Sequence, residues 1–345
     1  MTSMRTAVLY ITDVAPTKAL FKIANSHGID LYVTSSSLGV DALIAKLQPF
    51  VAVITGSSQR FTEKVLSHAS KLRVLAYAGA SYDGYIDVEA ATRYGIAVTT
   101  APGANAKSVA EFTMGLILDA TKHITQLANR TKQGQWTPII VSTLNKTKLG
   151  ILGMGAIGSE VARIARNGFE MDVHYFSRTR KTSIETKLGV HYVDYETLLT
   201  ESDVLTLHIP LNANTQASIG AYEFSLMKSS AIVVNSARAW LIEPVALRAA
   251  LEQNQIAYLA TDVYYQEPVP KPEDDPYGIL QLPDDKVLIT PHNAYNTYDA
   301  QLNSFQLCIK SIKNILNGKP DHYLANPQYS NETGFITEQK GSENV

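Results

Sequence analysis

The chain lacks what several functional classes require. It has one cysteine, Cys308, in 345 residues, so an intrachain disulfide is excluded and a reducing, cytoplasmic setting fits. Its formal net charge of −2 provides no basic field for nucleic acid. No stretch approaches the ~20 apolar residues of a membrane span. The N-terminal run in MTSMRTAVLYITD is broken by Asp13 and is too short for a signal peptide. No set of His, Cys, Asp and Glu has metal-ligand spacing, and no serine sits in a GxSxG elbow. Cys308 falls within a helical pattern, which leaves nucleophilic catalysis unsupported. Solenoid-type repeats are absent. What remains is a soluble, intracellular globular protein, with neither nucleic acid nor membrane as partner.

The length exceeds what one hydrophobic core usually spans, so two domains are expected. The first hundred residues alternate strand-like runs (TAVLYI, DLYVT, VAVIT, LRVLAYA, IAVTT) with helical stretches such as PTKALFKIANSHG. A second series begins at Lys148 (LGILG, DVHYFS, VLTLHIP, AIVVNSA, IAYLATDVY, KVLIT) and ends at Pro291. Such alternation predicts α/β domains with parallel sheets. Between the series, one long helix is expected from a cap at Asn105 to a stop at Gly134. Residues 297–317 read as a final amphipathic helix that packs back on the first domain. The expected plan is a substrate domain of residues 1–100 and 292–330 around a dinucleotide domain of 101–291. A polar tail, 331–345, follows. Two chain crossings would make a hinge with a cleft beneath it.

The stretch LGILGMGAIGSEVA carries Gly153, Gly155 and Gly158 after a predicted strand, Lys148–Leu152, and before a predicted helix, Ile157–Arg166. GxGxxG alone is a weak signal, and a glycine-rich turn is its structural alternative. In the strand–turn–helix setting the three glycines serve, in order, a tight turn, backbone approach to a pyrophosphate, and close helix–strand packing. The helix N-terminus then aims free N–H groups at the anion. At the end of the next strand an acidic residue would bind the adenosine ribose, but the sequence reads HYFSRTRK. Ser177, with Arg178, Arg180 and Lys181 behind it, suits a 2′-phosphate better than a carboxylate would. NADP(H) is therefore favoured, with NAD(H) possible; a solvated basic loop is the alternative.

In an open α/β sheet, ligands bind beyond the carboxyl ends of the strands. There stand Arg238 after AIVVNSA, Glu267 after IAYLATDVY and His292 after VLIT. Reducing a 2-keto acid needs a fork for carboxylate and carbonyl, which arginine supplies. It also needs a proton donor, which histidine supplies, and a carboxylate to orient that imidazole. Each residue alone has a structural reading, as a surface ion pair, a solvated charge or a helix cap; their shared placement favours the catalytic one. His27, His68, His123, His174, His191, His208 and His322 read as structural or exposed.

Over roughly residues 50–325 the chain resembles the D-isomer-specific 2-hydroxyacid dehydrogenases. The resemblance rests on APGANAKSVAEF (101–112), GILGMGAIG (150–158), SDVLTLHIPL (202–211), VVNSAR (233–238), TDVYYQEP (261–268) and TPHNA (290–294). It implies two parallel-sheet domains, Rossmann-like and flavodoxin-like, with the substrate domain discontinuous. It implies that Arg238 binds substrate, that Glu267 partners the histidine, and that His292 is the acid–base. Ala156 and Ile157 match the pyrophosphate loop, Ile209 and Pro210 a loop beside the adenosine. Ser236 and Ala237 fall at cofactor-binding positions, and Asp262 matches a nicotinamide contact. Ala78 and Gly79 match a loop whose N–H groups hold the substrate carboxylate. Members are usually homodimers built through the coenzyme domains and the long helix.

The chain departs from the family pattern at four places. Ser177 replaces the usual acid, and YFSRTRK looks like the run in glyoxylate and hydroxypyruvate reductases that accept NADPH. Segment 81–87 carries one extra residue. Ala239 and Trp240 follow the arginine where glycine is usual. Tyr295 looks like lactate and hydroxyisocaproate members, which implies a roomier or apolar pocket. The expected activity is reduction of a small 2-keto acid. Two alternatives share the scaffold: a dinucleotide-sensing, corepressor-like binding module, and a formate- or phosphite-type dehydrogenase.

Overall fold

A computed structural model of the chain describes residues 5–36, 38–56, 59–80, 82 and 84–329. The expected tail, 331–345, and Ser81 and Asp83 of the segment 81–87 lie outside the described residues. Two compact units emerge: Met1–Asn105 with Tyr298–Val345, and Ala106–Thr297.

The first unit runs β1 (Thr6–Ile11), α1 (Lys18–Ser26), β2 (Ile29–Thr34), α2 (Val40–Leu47), β3 (Ala52–Thr55), α3 (Glu63–Ser67), β4 (Val74–Tyr77), α4 (Val88–Arg93) and β5 (Ala97–Thr99). Its sheet has the flavodoxin-like order β2-β1-β3-β4-β5, with every pairing parallel. Helices cover both faces, so β3 and β4 are buried at every residue. This is why these strands read as unbroken apolar runs. On β1, Leu9 and Ile11 join Leu43, Leu47 and Val65 of α2 and α3. Val8 and Tyr10 point the other way, toward Leu20 of α1.

In the second unit, α5 (Ala106–Lys122) and α6 (Ile124–Lys132) precede β6 (Lys148–Leu152) and α7 (Ala156–Phe169). There follow β7 (Asp172–Phe176), α8 (Thr182–Leu188), β8 (His191–Tyr192), α9 (Tyr195–Glu201) and β9 (Val204–Leu207). The unit ends with α10 (Ala221–Leu226), β10 (Ile232–Asn235), α11 (Pro244–Glu252), β11 (Tyr258–Thr261) and β12 (Val287–Ile289). The sheet order β12-β11-β10-β9-β6-β7-β8, parallel throughout, is the Rossmann order with one added strand. The order reverses at β6, with β7 on one side and β9 on the other, so the switch point lies beside the glycine turn. Helices α5 and α7 pack on one face through Met114, Ile117, Val161 and Ala162. The other face holds α9 to α11 through Leu198, Phe224 and Leu247.

The single long helix expected over 105–134 is instead two. His123 adopts φ +50° between α5 and α6, and the Asp119 carboxylate accepts the Thr125 N–H at 2.7 Å, offering the second helix a local N-terminal partner. Gly134, at φ +80°, does end α6. The boundary after the catalytic strands falls at Thr297 rather than at 291, because residues 290–294 are tied to the end of β11.

The last helix, α12 (Tyr298–Leu316), belongs to the first unit and buries Phe305, Cys308, Ile309 and Ile312 in its core. Burial pushes the Cys308 thiol up to about 12, so it stays protonated and unreactive.

Candidate active site

The glycine turn of the second unit has the shape a dinucleotide requires. Gly153 sits at φ +104°, and a Cβ there would stand 2.7 Å from the His208 carbonyl oxygen. A Cβ on Gly158 would stand 2.1 Å from the Gly153 oxygen, so helix and turn pack closer than any side chain permits. A Cβ on Gly155 would meet nothing within 4 Å; that face is open. Helix α7 starts at Ala156 without a side-chain cap, which leaves the first-turn N–H groups of Ala156, Ile157 and Gly158 without intrahelical acceptors. These residues fit a pyrophosphate. Ile209 lies against the turn, its Cγ2 2.9 Å from the position of a Gly153 Cβ, and Pro210 continues that wall with an exposed ring.

The basic loop after β7 divides its labour. Ser177 Oγ donates to the Thr179 carbonyl at 2.8 Å. Arg180 is committed to Glu185 through Nε at 2.9 Å and Nη2 at 2.7 Å, and its guanidinium lies 5.6 Å from the Tyr192 ring centroid. That bond lowers the Glu185 carboxyl and raises Arg180. Arg180 thereby holds the loop on α8, with Nη1 outside the pair. Exposed Arg178 has no ion pair among the described residues.

Arg238 is presented by a loop that its own strand closes. Asn235, 1% exposed, accepts the Ala237 N–H at 3.0 Å and donates to the Arg238 carbonyl at 2.9 Å. The side chain clamps the turn across Ser236. The Arg238 guanidinium donates to the Ala237 carbonyl at 2.8 Å. Among the described residues it has no carboxylate partner, so most of its fork is unspent.

Beyond β11, His292 Nδ1 lies 2.7 Å from Glu267 Oε2, and both side chains are about one-third exposed. The other carboxylate oxygen accepts the Tyr264 N–H at 2.9 Å. Burial pushes the Glu267 carboxyl up, but the His292 hydrogen bond and the His292 and Arg238 charges outweigh it. The net is a carboxyl below its usual range. An ionised carboxylate only accepts, so Nδ1 carries a proton and Nε2 is the atom left to exchange one. His292 adopts φ +51°, a left-handed conformation costing roughly 1–2 kcal/mol for a residue with a side chain. Asp262 holds it there. Its Oδ1 accepts from Thr290 Oγ1 at 2.6 Å and Asn293 N at 2.9 Å, its Oδ2 from Ala294 N at 2.7 Å. Asp262 is 0% exposed, and its carboxylate spends three acceptor sites on the loop that carries His292.

Sequence reasoning missed Asn235 and the Tyr264 N–H, because neither a buried amide nor a backbone donor leaves a pattern in the chain. From the sequence, His208 reads as structural or exposed. The His208 ring is buried and Nδ1 has no partner, while Nε2 lies 3.0 Å from Thr206 Oγ1. Burial lowers its pKa to about 3, so it is a neutral ring behind the glycine turn. Tyr295 sets its ring edge-on to His292 at 5.8 Å. Trp240, 37% exposed, packs on Tyr265 at 5.2 Å and Tyr277 at 6.1 Å.

In the first unit, the Ala78 N–H donates to the Thr55 carbonyl at 2.7 Å, extending the sheet. Of the expected carboxylate-holding pair, the Gly79 N–H has no acceptor among the described residues. A Cβ on Gly79 would lie 2.8 Å from Tyr77 Cε1. Among the described residues no group of three His, Cys, Asp or Glu side chains is arranged to hold a metal ion, and no helix is long and apolar enough to cross a membrane.

The model of the D-isomer specific 2-hydroxyacid dehydrogenase NAD binding domain matches residues 114–294. A glyoxylate reductase of Aeropyrum pernix is 34% identical over 333 residues, 94% of this chain and 97% of that protein. The solved structure of a glyoxylate reductase from Paecilomyes thermophila is 29% identical at a TM-score of 0.78, covering 94% of this chain and 99% of that one. An acyclic imino acid reductase in complex with NADPH and D-Arg is 27% identical at a TM-score of 0.78, covering 92% and 99%.

Proposed function

We propose, for a chain that belongs to the D-isomer-specific 2-hydroxyacid dehydrogenase family, that it reduces a small 2-keto acid to the D-2-hydroxy acid, and the reverse, with NADP(H) preferred over NAD(H). The observation that carries this reading is the Glu267–His292 pair at 2.7 Å on the same sheet edge as an arginine without a carboxylate. Arg238 binds the substrate carboxylate and polarises the keto oxygen. His292 passes the Nε2 proton to the keto oxygen, and Glu267 carries the opposite charge while the imidazole is protonated. When bound, the nicotinamide supplies the hydride. Ser177 and Arg178, in a strand-end loop that offers no carboxylate to a ribose, support NADP(H). The relatives' names make glyoxylate the first substrate to try. The test is NADPH and NADH oxidation with glyoxylate, hydroxypyruvate, pyruvate and a branched 2-keto acid. Turnover faster with NADPH supports the reading. Inertness across the panel would sink it, and dinucleotide binding without turnover would then favour the sensing alternative.

A cytoplasmic homodimer completes the proposal. Trp136 and Ile140, in the irregular segment after α6, are 85% and 102% exposed. Such apolar exposure in one stretch suits a second copy of the chain. Sedimentation of the purified protein at twice the 37.7 kDa chain mass is expected; a monomer at micromolar concentration would remove this part.

A further inference from the structure

We infer that helix α5 is a brace that sets the spacing of the two catalytic loops, through the hydroxyls of Ser108 and Thr113. The inference rests on the proposed assignment of Arg238 and His292. Ser108 is 7% exposed and Thr113 0%. Ser108 Oγ donates to the Ala294 carbonyl at 2.6 Å, two residues after His292. Thr113 Oγ1 lies 2.8 Å from Ser236 Oγ, two residues before Arg238. One rigid helix thus touches the backs of both loops.

Residue 294 is held at both polar backbone atoms: its N–H by Asp262 at 2.7 Å and its carbonyl by Ser108 at 2.6 Å. Asp262 ties the loop to β11, but a strand end alone leaves it free to tilt. The second bond, from another element, removes that freedom. Since His292 sits in a strained conformation, a loop released at Ala294 has a relaxed alternative to fall into.

Thr113 adds a polarity. Its single proton goes to the Val109 carbonyl at 2.7 Å, and a carbonyl only accepts. Both Thr113 bonds exist together only if Ser236 donates to Thr113. Ser236 then has lone pairs alone to offer a ligand, so it accepts from an amide N–H and not from a bare oxygen. Of the cofactor parts proposed for this edge, the nicotinamide carboxamide carries such an N–H. Ser108 and Thr113 are positioning residues, acting through Ala294 and Ser236.

The test compares Ser108→Ala, Thr113→Val and Thr113→Ser with the unsubstituted protein. Ser108→Ala is expected to lower kcat on the order of tenfold, with KM for the keto acid changed less than twofold, because misplacement of His292 affects the chemical step. Thr113→Val is expected to raise KM for the dinucleotide severalfold, and Thr113→Ser to restore it. Ser236→Ala combined with Thr113→Val should be no worse than Ser236→Ala alone. Amide exchange at Asn293 and Ala294, read without substrate, should quicken in Ser108→Ala. Variants with unchanged kinetics and unchanged exchange would overturn the inference, as would losses that Thr113→Ser does not restore or that merely track Tm. An unsubstituted protein that turns over nothing would defeat the functional reading instead, and exchange alone would then decide for or against the brace.

Discussion

The two edges of the second unit's sheet carry similar residues in opposite conditions. At the amino edge, Lys148 meets Glu201 at 2.8 Å, Lys228 meets Asp203 at 2.7 Å, and His174 lies 3.3 Å from Asp172. The lysines have carboxylates, and the pairing lowers Glu201 and raises Lys148. At the carboxyl edge, Arg238 has no carboxylate among the described residues, and His292, paired with Glu267, sits in a left-handed conformation. A cluster of ionisable side chains is therefore no sign of catalysis by itself. The informative feature is the unspent donor, which is unfavourable in an isolated protein and persists where a ligand uses it; left-handed residues stand at both edges, with Lys146, Glu170 and Asn254 at the amino one.

The comparison can be broken most directly at His292. His292→Ala should lower turnover by about 10²–10⁴-fold with dinucleotide binding nearly unchanged; fluorescence titration of NADPH reads the second half. Equal loss of both would deny His292 its acid–base role. A smaller effect is expected at its partner. Glu267→Gln should reduce kcat by about tenfold to a hundredfold, because the imidazole loses the carboxylate that orients it. The sign for stability follows from the lowered Glu267 carboxyl. Its contribution is full above the unfolded value of about 4.3 and is lost as pH falls through the lower folded value. The variant should lack that part of the acid-side slope, and pH-dependent melting would show whether it does. The smallest effect belongs to the amino edge. Glu201→Gln should leave turnover within twofold and shift Tm by no more than about 2 °C, since a half-exposed pair contributes little. A large loss of activity there would erase the distinction between the edges.

Much of this was legible in the chain. Strand β6 occupies the span read from KLGIL, and α12 lies within one residue of its expected limits at each end, because their apolar periods are strong and their boundaries marked. The three glycines, Arg238, Glu267 and His292 were found by position after strands, a rule that needs no contacts. The break at His123 was not legible: nothing in HITQ announces it, and a side-chain cap from Asp119 is a choice among competing local bonds. Strand β8, two residues at the sheet edge, is too short to have a period. Arg180 was placed at a phosphate by type and position and Asp262 at the nicotinamide by the family resemblance; the bonds Arg180 makes to Glu185 and Asp262 to Thr290 and Ala294 left no mark in the sequence.

The sequence by itself determined the two parallel sheets, the glycine turn and which ionisable residues follow the strand ends, because periodicity, glycine spacing and strand ends are local properties. Only the tertiary structure decided which polar groups are already spent. Whether an arginine, an aspartate or a serine faces a ligand depends on hydrogen bonds closed by residues far along the chain, and a donor or acceptor once satisfied and buried has nothing left to offer.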